Sequence, residues 1–130
     1  IAEAINATYA FPVLTHEDFV RDNPEVLQRF CNAWVKAMKW IDENPQAAGD
    51  LLHREFINEG LQIDREAVDI MLNTTYYSRS VWTEDDSIDA LESGRIFSEW
   101  GISDAPAPTL AELMARVDSS FMEQAEAQFR

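Results

Sequence analysis

The side chains that could perform nucleophilic, acid–base or metal chemistry are two histidines, one cysteine and a run of three acids. His53 could pair with Asp50 three residues earlier, a spacing that places two metal ligands on one face of a helix. We nevertheless expect His53 and His16 to be surface or boundary residues, because isolated histidines are more often structural than ligating. Cys31 follows Phe30 in a helical pattern with no base placed locally, so it is expected to be a small buried hydrophobic residue.

The three acids, Glu84, Asp85 and Asp86, follow Thr83. The Thr-x-x-Asp spacing is that of a helix start, where the helix dipole favours acids. The cluster lacks the glycine and the downstream glutamate of a calcium loop, and the four glycines of the chain form no phosphate-binding loop. A GxSxG elbow is also missing from the sequence. We therefore predict no catalytic residue, no metal site and no cofactor, and we do not expect an enzyme.

Six aromatic residues could line a pocket for a small molecule. At helical spacing, aromatic residues belong more often to the core than to a binding site, and we predict that these six are core residues. Tyr76, Tyr77 and Trp82 are the best candidates for a pocket, because they lie near a loop. The six are Trp34, Trp40, Tyr76, Tyr77, Trp82 and Trp100.

The composition indicates one globular domain over residues 1–130. The chain is 46% hydrophobic and 11% aromatic, which is too much for a disordered acidic tail. A formal net charge of −14 argues against nucleic acid and anionic membrane surfaces as partners, because both would be repelled. No apolar run approaches the length of a membrane span, so no membrane insertion is expected. A single cysteine excludes an intrachain disulfide and a cysteine-rich zinc site.

One strand and a long helix are predicted in the first third of the chain. Residues 7–16 cluster apolar side chains around Pro12, which is typical of an edge strand or an irregular segment. A helix follows, because Asn23 suits an N-cap and Pro24 suits the first helical position. The Asn-Pro pair at 44–45 is expected to end this helix and to cap the next. The inward face is predicted to hold Val26 or Leu27, Phe30, Trp34, Met38 and Ile41.

Three further helices are predicted in the middle of the chain. The second helix is expected to end near Gly60, as a left-handed residue after the helix. Asp64 begins a third helix, and Thr83 begins a fourth that runs towards Trp100 and Gly101. Their inward residues are predicted to be Ala48, Leu51, Leu52 and Phe56, then Val68, Met71, Leu72 and Tyr76, then Ile88 and Leu91.

The C-terminal stretch is predicted to be two short helices that break near Asp118. Residues 104–108 form a stiff linker, and residues 109–112 and 120–123 have the spacing of capping boxes. The fold class is therefore mainly α, with about six helices and one or few strands. A lone strand cannot form a sheet, so residues 7–16 either form a loop or pair with a sheet on another chain or on a segment outside this sequence.

The order of these segments resembles the C-terminal portion of a family of periplasmic solute-binding proteins. The segments are YAFPVLTHEDF (9–19), NPEVLQRFCNAWVKAMKWIDENPQAAGDLL (23–52), GRIFSEWGI (94–102) and VDSSFMEQA (117–125). The family is the nitrate, sulfonate, taurine and thiamine-precursor class, which includes the aliphatic-sulfonate-binding group. The resemblance covers nearly the whole chain but only the last part of a full-length family member.

The resemblance implies a fragment of a two-lobed α/β fold of the type II periplasmic-binding-protein class. It implies the solute-binding component of an ABC importer, with a periplasmic or other extracytoplasmic location and an ABC permease as partner. The solute would be small and anionic, a sulfonate or nitrate, or pyrimidine-like. Tyr9, Phe11 and Pro12 lie where the chain would pass the cleft, so they are the expected ligand contacts.

The same resemblance implies that the N-terminal lobe is missing here. Ligand binding is then expected to be incomplete, and exposed apolar faces are expected to be covered by that lobe or by self-association into a homo-oligomer. A second interpretation stays open, namely a stand-alone helical interaction or oligomerisation domain without ligand binding. An upstream export signal followed by α/β lobes would favour the first interpretation, and a gene without that upstream half would favour the second.

Overall fold

A computed structural model describes residues 13–74, 80–104 and 106–130. Within those ranges the chain forms seven α-helices and no strand, which confirms the mainly α prediction. Residues 7–12 of the predicted strand lie outside the described residues, and residues 13–16 have no regular secondary structure. The helices are α1 (Glu17–Asp22), α2 (Pro24–Glu43), α3 (Pro45–Asn58), α4 (Arg65–Thr74), α5 (Glu84–Glu99), α6 (Leu110–Met114) and α7 (Ser120–Phe129).

These helices fall into two compact units. The α2 unit comprises Pro24–Ser80 and Phe121–Arg130, and it contains α2, α3, α4 and nearly all of α7. The α5 unit comprises Val81–Ser120 with the N-terminal stretch that ends at Asn23. The composition indicates that the two units form one domain, and this stays a prediction. Across the described helices, none has both the length and the apolar character that a membrane crossing requires.

The core of the α2 unit lies between α2 and α7. Cys31 and Val35 of α2 are 4% and 0% exposed, and Ala125 of α7 is 0% exposed. Cys31 is thus the small buried hydrophobic residue that the sequence predicts. The partly buried residues that pack around these three are Leu27, Phe121, Met122 and Phe129.

The predicted inward face of α2 is wrong at its two largest residues. Phe30 and Trp34 are 44% and 40% exposed, whereas Leu27, Met38 and Ile41 are half-buried. One residue along a helix is a rotation of about 100°, and α2 is apolar over more than that arc. The apolar period therefore could not distinguish the strip that packs against α7 from the strip beside it.

Polar contacts fix the position of α7 on α2. Gln28 Nε2 donates to Phe121 O at 3.0 Å near the start of α7. At the other end, Lys39 Nζ donates to Phe129 O at 3.4 Å, and Lys36 Nζ lies 4.1 Å from the centroid of the Phe129 ring. A cation at a helix C-terminus is favoured by the helix dipole, and the Lys36 contact is a cation–π interaction. The two lysines therefore stabilise the last turn of α7.

Proline defines where α2 and α3 begin. Pro24 and Pro45 are the first residues of these helices, as the Asn-Pro pairs predict. The prediction that Asn44 caps α3 is wrong for its side chain, which makes no capping hydrogen bond there. Its Nδ2 donates instead to Trp40 O at 2.9 Å. The Asn44 amide therefore stabilises the end of α2 rather than the start of α3.

Left-handed glycines end α3 and α5. Gly60 and Gly101 have φ angles of 83° and 69°, which residues with a Cβ rarely adopt. In both turns the N–H of the next residue donates, at 2.9 Å, to the carbonyl of Phe56 or Phe97 in the helix. The prediction for Gly60 is confirmed, and the turn at Gly101 has the same geometry.

The contact between α3 and α4 contains a buried glycine beneath an arginine. Arg65 Nε donates to Asp50 Oδ1 at 3.1 Å, and Nη2 donates to Gln46 O at 3.1 Å. Its Nη1 donates to Asp69, and this hydrogen bond raises the pKa of Arg65 above its ordinary value. A Cβ at Gly49 would overlap the guanidinium group. Gly49 therefore allows Arg65 to join the two helices.

Gly49→Ala is expected to have different effects with and without Arg65. In the natural chain the new methyl group displaces the guanidinium, and the lost contacts offset the gain of about 1 kcal/mol that alanine has over glycine in a helix. In an Arg65→Ala background nothing is displaced, so the full gain of about 1 kcal/mol should appear. Urea unfolding of the four proteins in this cycle measures the difference. An equal effect in both backgrounds would contradict the contact.

In the α5 unit, the helix start predicted at Thr83 and the capping box predicted at Thr109 both form capping boxes. Thr83 Oγ1 accepts from Asp86 N at 3.4 Å, and Asp86 Oδ2 accepts from Thr83 N at 2.7 Å. At α6, Thr109 Oγ1 accepts from Glu112 N at 3.2 Å, and Glu112 Oε2 accepts from Thr109 N at 2.8 Å. Two backbone donors are satisfied at each helix start, and α6 packs against α5. These two helix-start predictions are confirmed.

The start of α7 differs from its prediction. The break near Asp118 is confirmed, but a capping box at 120–123 is wrong, because Ser120 is already the first residue of the helix. Asp118 Oδ1 instead accepts from Ser120 N at 3.0 Å and from Ser120 Oγ at 2.6 Å. An aspartate two residues before a donor is a usual helix-starting arrangement.

The short helix α1 is not predicted by the apolar pattern. His16 precedes it and accepts from Asp18 N at 3.2 Å through Nδ1. Arg21 in the last turn pairs with Asp18 at 2.7 Å. Acids in the first turn and a base in the last turn both suit the helix dipole. The order of charges could have predicted this helix from the sequence. Its start was harder to recognise, because histidine is not among the preferred N-cap residues.

We expect the Glu112 carboxyl to titrate below its ordinary range. The Thr109 N–H, and then the Thr109 hydroxyl, donate to the carboxylate and lower the pKa of Glu112. A depressed pKa gives stability that is present above the pKa of the unfolded chain and lost as the pH falls through the folded value. Thr109→Val removes one donor, so the pKa should rise towards the ordinary value in a carboxyl NMR titration. Thr15→Val is the matched control, and an equal rise in both variants would contradict this assignment.

Candidate functional site

The predicted ligand contacts Tyr9, Phe11 and Pro12 lie outside the described residues, as do Tyr76 and Tyr77. Their roles as ligand contacts or as core residues stay predictions. The candidate sites of the described chain are the histidines and the thiol, a polar cluster at the start of α5, an apolar cleft, and an aromatic face on α2.

The histidines and the thiol have structural surroundings. His53 is half-buried, and its Nε2 lies 3.0 Å from Ile63 O, so the ring joins α3 to the segment before α4. His53 thus occupies the boundary position that the sequence predicts, and His16 caps α1 at the surface. Burial raises the pKa of the Cys31 thiol, which disfavours the reactive thiolate. Within the described ranges, no three His, Cys, Asp or Glu side chains are placed to hold a metal ion together.

A buried polar cluster lies at the start of α5. Trp82 Nε1 donates to Ser87 Oγ at 2.7 Å, and Ser87 is fully buried beside Asp86, which is 6% exposed. Ser87 Oγ also lies 3.1 Å from Met114 Sδ at the end of α6, and Ser119 Oγ donates to Trp82 O at 3.2 Å. These contacts join α5, α6 and the segment before α7. Trp82 therefore uses its polar group structurally, as buried tryptophans usually do.

An apolar cleft of about 290 Å³ lies within the α5 unit. Its walls are α5, the proline-containing segment that follows it, and α6. Gly94 lies on the wall, and open space surrounds the position where a Cβ would stand. The largest described side chains that line the cleft are Leu91, Phe97, Pro106, Pro108 and Leu113.

The lining of this cleft determines what it could bind. None of the described lining residues is charged, and Ser103 is the polar side chain among them. An anion such as a sulfonate or nitrate needs hydrogen-bond donors or a cation when it leaves water. The cleft therefore suits a small apolar group, and by itself it is not a site for an anionic solute. The positions of the prolines in the linker did not predict this cleft.

The aromatic face of α2 is the largest departure from the predicted core. The prediction that Trp34, Trp40 and Trp100 are core residues is wrong, because they are 40%, 41% and 65% exposed. Trp100 is the C-cap residue of α5, whereas the other two are exposed residues of α2. For Trp34 and Trp40, the physical reason is that the residues of α7 pack around Cys31 and Val35, which lie on another strip of α2. We define the aromatic face by its four exposed residues, Val26, Phe30, Trp34 and Trp40.

No protein-family model, curated protein or solved structure matches this chain. The helix bounds, the exposed apolar faces and the charge distribution are the features that bear on function.

Proposed function

We propose that this chain is the C-terminal, mainly helical portion of the solute-binding component of an ABC importer. In this role the protein captures a small anionic, sulfonate, nitrate or pyrimidine-like solute outside the cytoplasm by closure of two lobes. It then presents the solute to a membrane permease. The described helices are structural parts of a lobe without catalysis, and Tyr9, Phe11 and Pro12 are the proposed ligand contacts.

The order and bounds of the helices are the observation that carries this proposal. α2 lies between the two Asn-Pro pairs, α5 ends at the Gly101-Ile102 turn, and α7 starts after Asp118. The resemblance to the solute-binding proteins rests on these same junctions. Each junction is formed by local chemistry that the quoted residues supply, namely proline at the first helical position, a left-handed glycine and an aspartate before a helix.

Exposed apolar residues on several helices also support the proposal. Leu51 and Ile57 of α3 are 42% and 49% exposed, and Ile70 and Met71 of α4 are 58% and 43% exposed. In layered α/β folds, helices cover the faces of a sheet with such residues. A missing sheet in another part of the polypeptide would account for these surfaces and for the partnerless strand predicted at residues 7–16.

The complete reading frame tests the proposal. We expect an export signal followed by α/β lobes upstream of Ile1. The full-length protein is expected to show a higher Tm with at least one of four probes, which are taurine, ethanesulfonate, nitrate and a hydroxymethylpyrimidine. The 130-residue chain alone should show no such shift. Sodium chloride at equal ionic strength is the control, and a reading frame without α/β lobes would refute the proposal.

A stand-alone helical interaction domain is the second candidate. The aromatic face of α2 favours it, because exposed apolar patches commonly mark protein contacts. The same experiment separates the candidates, since a reading frame without α/β lobes that yields a folded helical chain supports the interaction domain.

A further inference from the structure

The thioether of Met114 contacts a fully buried hydroxyl group. Its Sδ lies 3.1 Å from Ser87 Oγ, and Ser87 is 0% exposed. Trp82 Nε1 donates to the same Oγ at 2.7 Å, so this oxygen already accepts one hydrogen bond. The sulfur is the nearer acceptor for the hydroxyl's own hydrogen, because Thr83 O is 3.4 Å away. Trp82, Ser87 and Met114 therefore form one hydrogen-bonded chain that joins the start of α5 to the end of α6.

The position of α6 depends on its contacts with α5. Helix α6 has five residues, Leu110–Met114, and a helix this short is not stable alone in water. It packs against α5, and its Leu113 lines the apolar cleft together with Phe97 of α5. Met114 follows Leu113 directly in sequence. The contact between Met114 and Ser87 therefore helps to hold one wall of the cleft in place.

The sulfur of Met114 is also an oxidisable atom. Hydrogen peroxide transfers one oxygen atom to a thioether, because a sulfur lone pair forms the new S–O bond while the O–O bond breaks and water leaves. The sulfur loses two electrons and the peroxide gains them. Met114 is half-buried, so a molecule as small as peroxide can reach its side chain.

The sulfoxide fits this position less well than the thioether does. At the present distance between Sδ and Ser87 Oγ, there is no space for a further oxygen atom between them. On the other side of the sulfur, the new polar oxygen would lose part of its hydration in a half-buried position. Either product therefore favours a state in which Met114 is more exposed to water.

We propose that Met114 is a reversible redox switch that releases α6 from α5 when it is oxidised to the sulfoxide. Release of α6 removes Leu113 from the wall of the apolar cleft. Methionine sulfoxide reductases return the sulfoxide to the thioether, which resets the switch. This proposal is independent of the transport function, because it uses residues of the α5 unit alone.

The test uses two variants of the 130-residue chain, each of which keeps one of the four methionines and has leucine at the other three. Leucine and methionine have similar volumes, so this exchange is usually tolerated. One variant keeps Met114, and the matched control keeps Met71, which is 43% exposed on α4. Each folded variant is treated with hydrogen peroxide and then with methionine sulfoxide reductases A and B. Peptide mass mapping gives the extent of oxidation, circular dichroism gives the Tm, and NMR follows the Trp82 indole N–H.

We expect oxidation of Met114 to lower the Tm by about 5 °C and to shift the Trp82 indole resonance, and we expect the reductases to restore both. Oxidation of Met71 in the control should change the Tm by less than about 1 °C. If the Met114 variant does not fold, the natural chain oxidised in stages decides the result. The Trp82 shift should then follow the oxidised fraction of Met114 and not that of Met71.

Three results would overturn the proposal. The first is an Met114 side chain that reacts with peroxide only after the chain is unfolded in urea. The second is complete oxidation of Met114 with no change in the Trp82 resonance, or with a loss of Tm equal to that of the Met71 control. The third is a loss of Tm that the reductases do not reverse, because oxidation would then be damage and not a switch.

Discussion

Ala125→Asp is expected to unfold the α2 unit at neutral pH. Ala125 is 0% exposed and lies against Cys31 and Val35, so the new carboxylate would lose its water without gaining a partner. An uncompensated buried charge costs about 3–5 kcal/mol, which is much of the 5–15 kcal/mol that stabilises an ordinary domain. Because burial raises the pKa of a carboxyl group, the penalty should become smaller as the pH falls.

Two measurements check this expectation. Urea unfolding by far-UV circular dichroism gives the loss of stability, and a thiol reagent gives the exposure of Cys31. The thiol is buried and its pKa is raised, so the natural chain should react slowly and the variant rapidly. Ala127→Asp is the matched control, because Ala127 is exposed on the same helix. Equal unfolding midpoints for the two variants would show that α7 does not pack on α2 through Ala125.

Asp86→Ala is expected to have the second largest effect, a loss of about 2 kcal/mol from the α5 unit. Asp86 Oδ2 accepts from the Thr83 N–H and from the Thr83 hydroxyl, each at 2.7 Å, in a position that is 6% exposed. Alanine would leave both donors without this acceptor. The loss exceeds that of a surface cap because Ser87 beside it is fully buried, so water cannot easily replace the carboxylate.

The control for this prediction is Asp85→Ala, one residue earlier and exposed. It removes the same charge from the same helix start, so any difference measures the capping box rather than the helix dipole. Urea unfolding gives the loss of stability, and the indole N–H resonance of Trp82 reports on the hydrogen bond to Ser87. If both variants lose the same stability, the buried capping box is not the cause.

The candidate sites were less predictable than the helices. The sequence indicates correctly that Glu84, Asp85 and Asp86 start a helix and that Cys31 is buried. It did not indicate the apolar cleft, because the cleft forms where Leu91, Phe97 and the linker prolines meet in space. It also assigned the aromatic face of α2 to the core. Both features depend on which helices and loops pack against each other. The spacing of apolar residues along a single helix does not determine that packing.

The sequence by itself determined where most of the helices begin and end, although it did not predict α1 or the first residue of α7. Pro24, Pro45, the Thr83 and Thr109 boxes and Gly60 act on backbone groups within a few residues, so their chemistry can be read locally. Only the tertiary structure decided which strip of α2 is buried. That choice depends on Ala125, which lies 90 residues along the chain from Val35. The side chain of Ala125 is small, and it packs in one buried cluster with Val35 and Cys31. Helix ends follow from neighbours in sequence, whereas buried faces follow from neighbours in space.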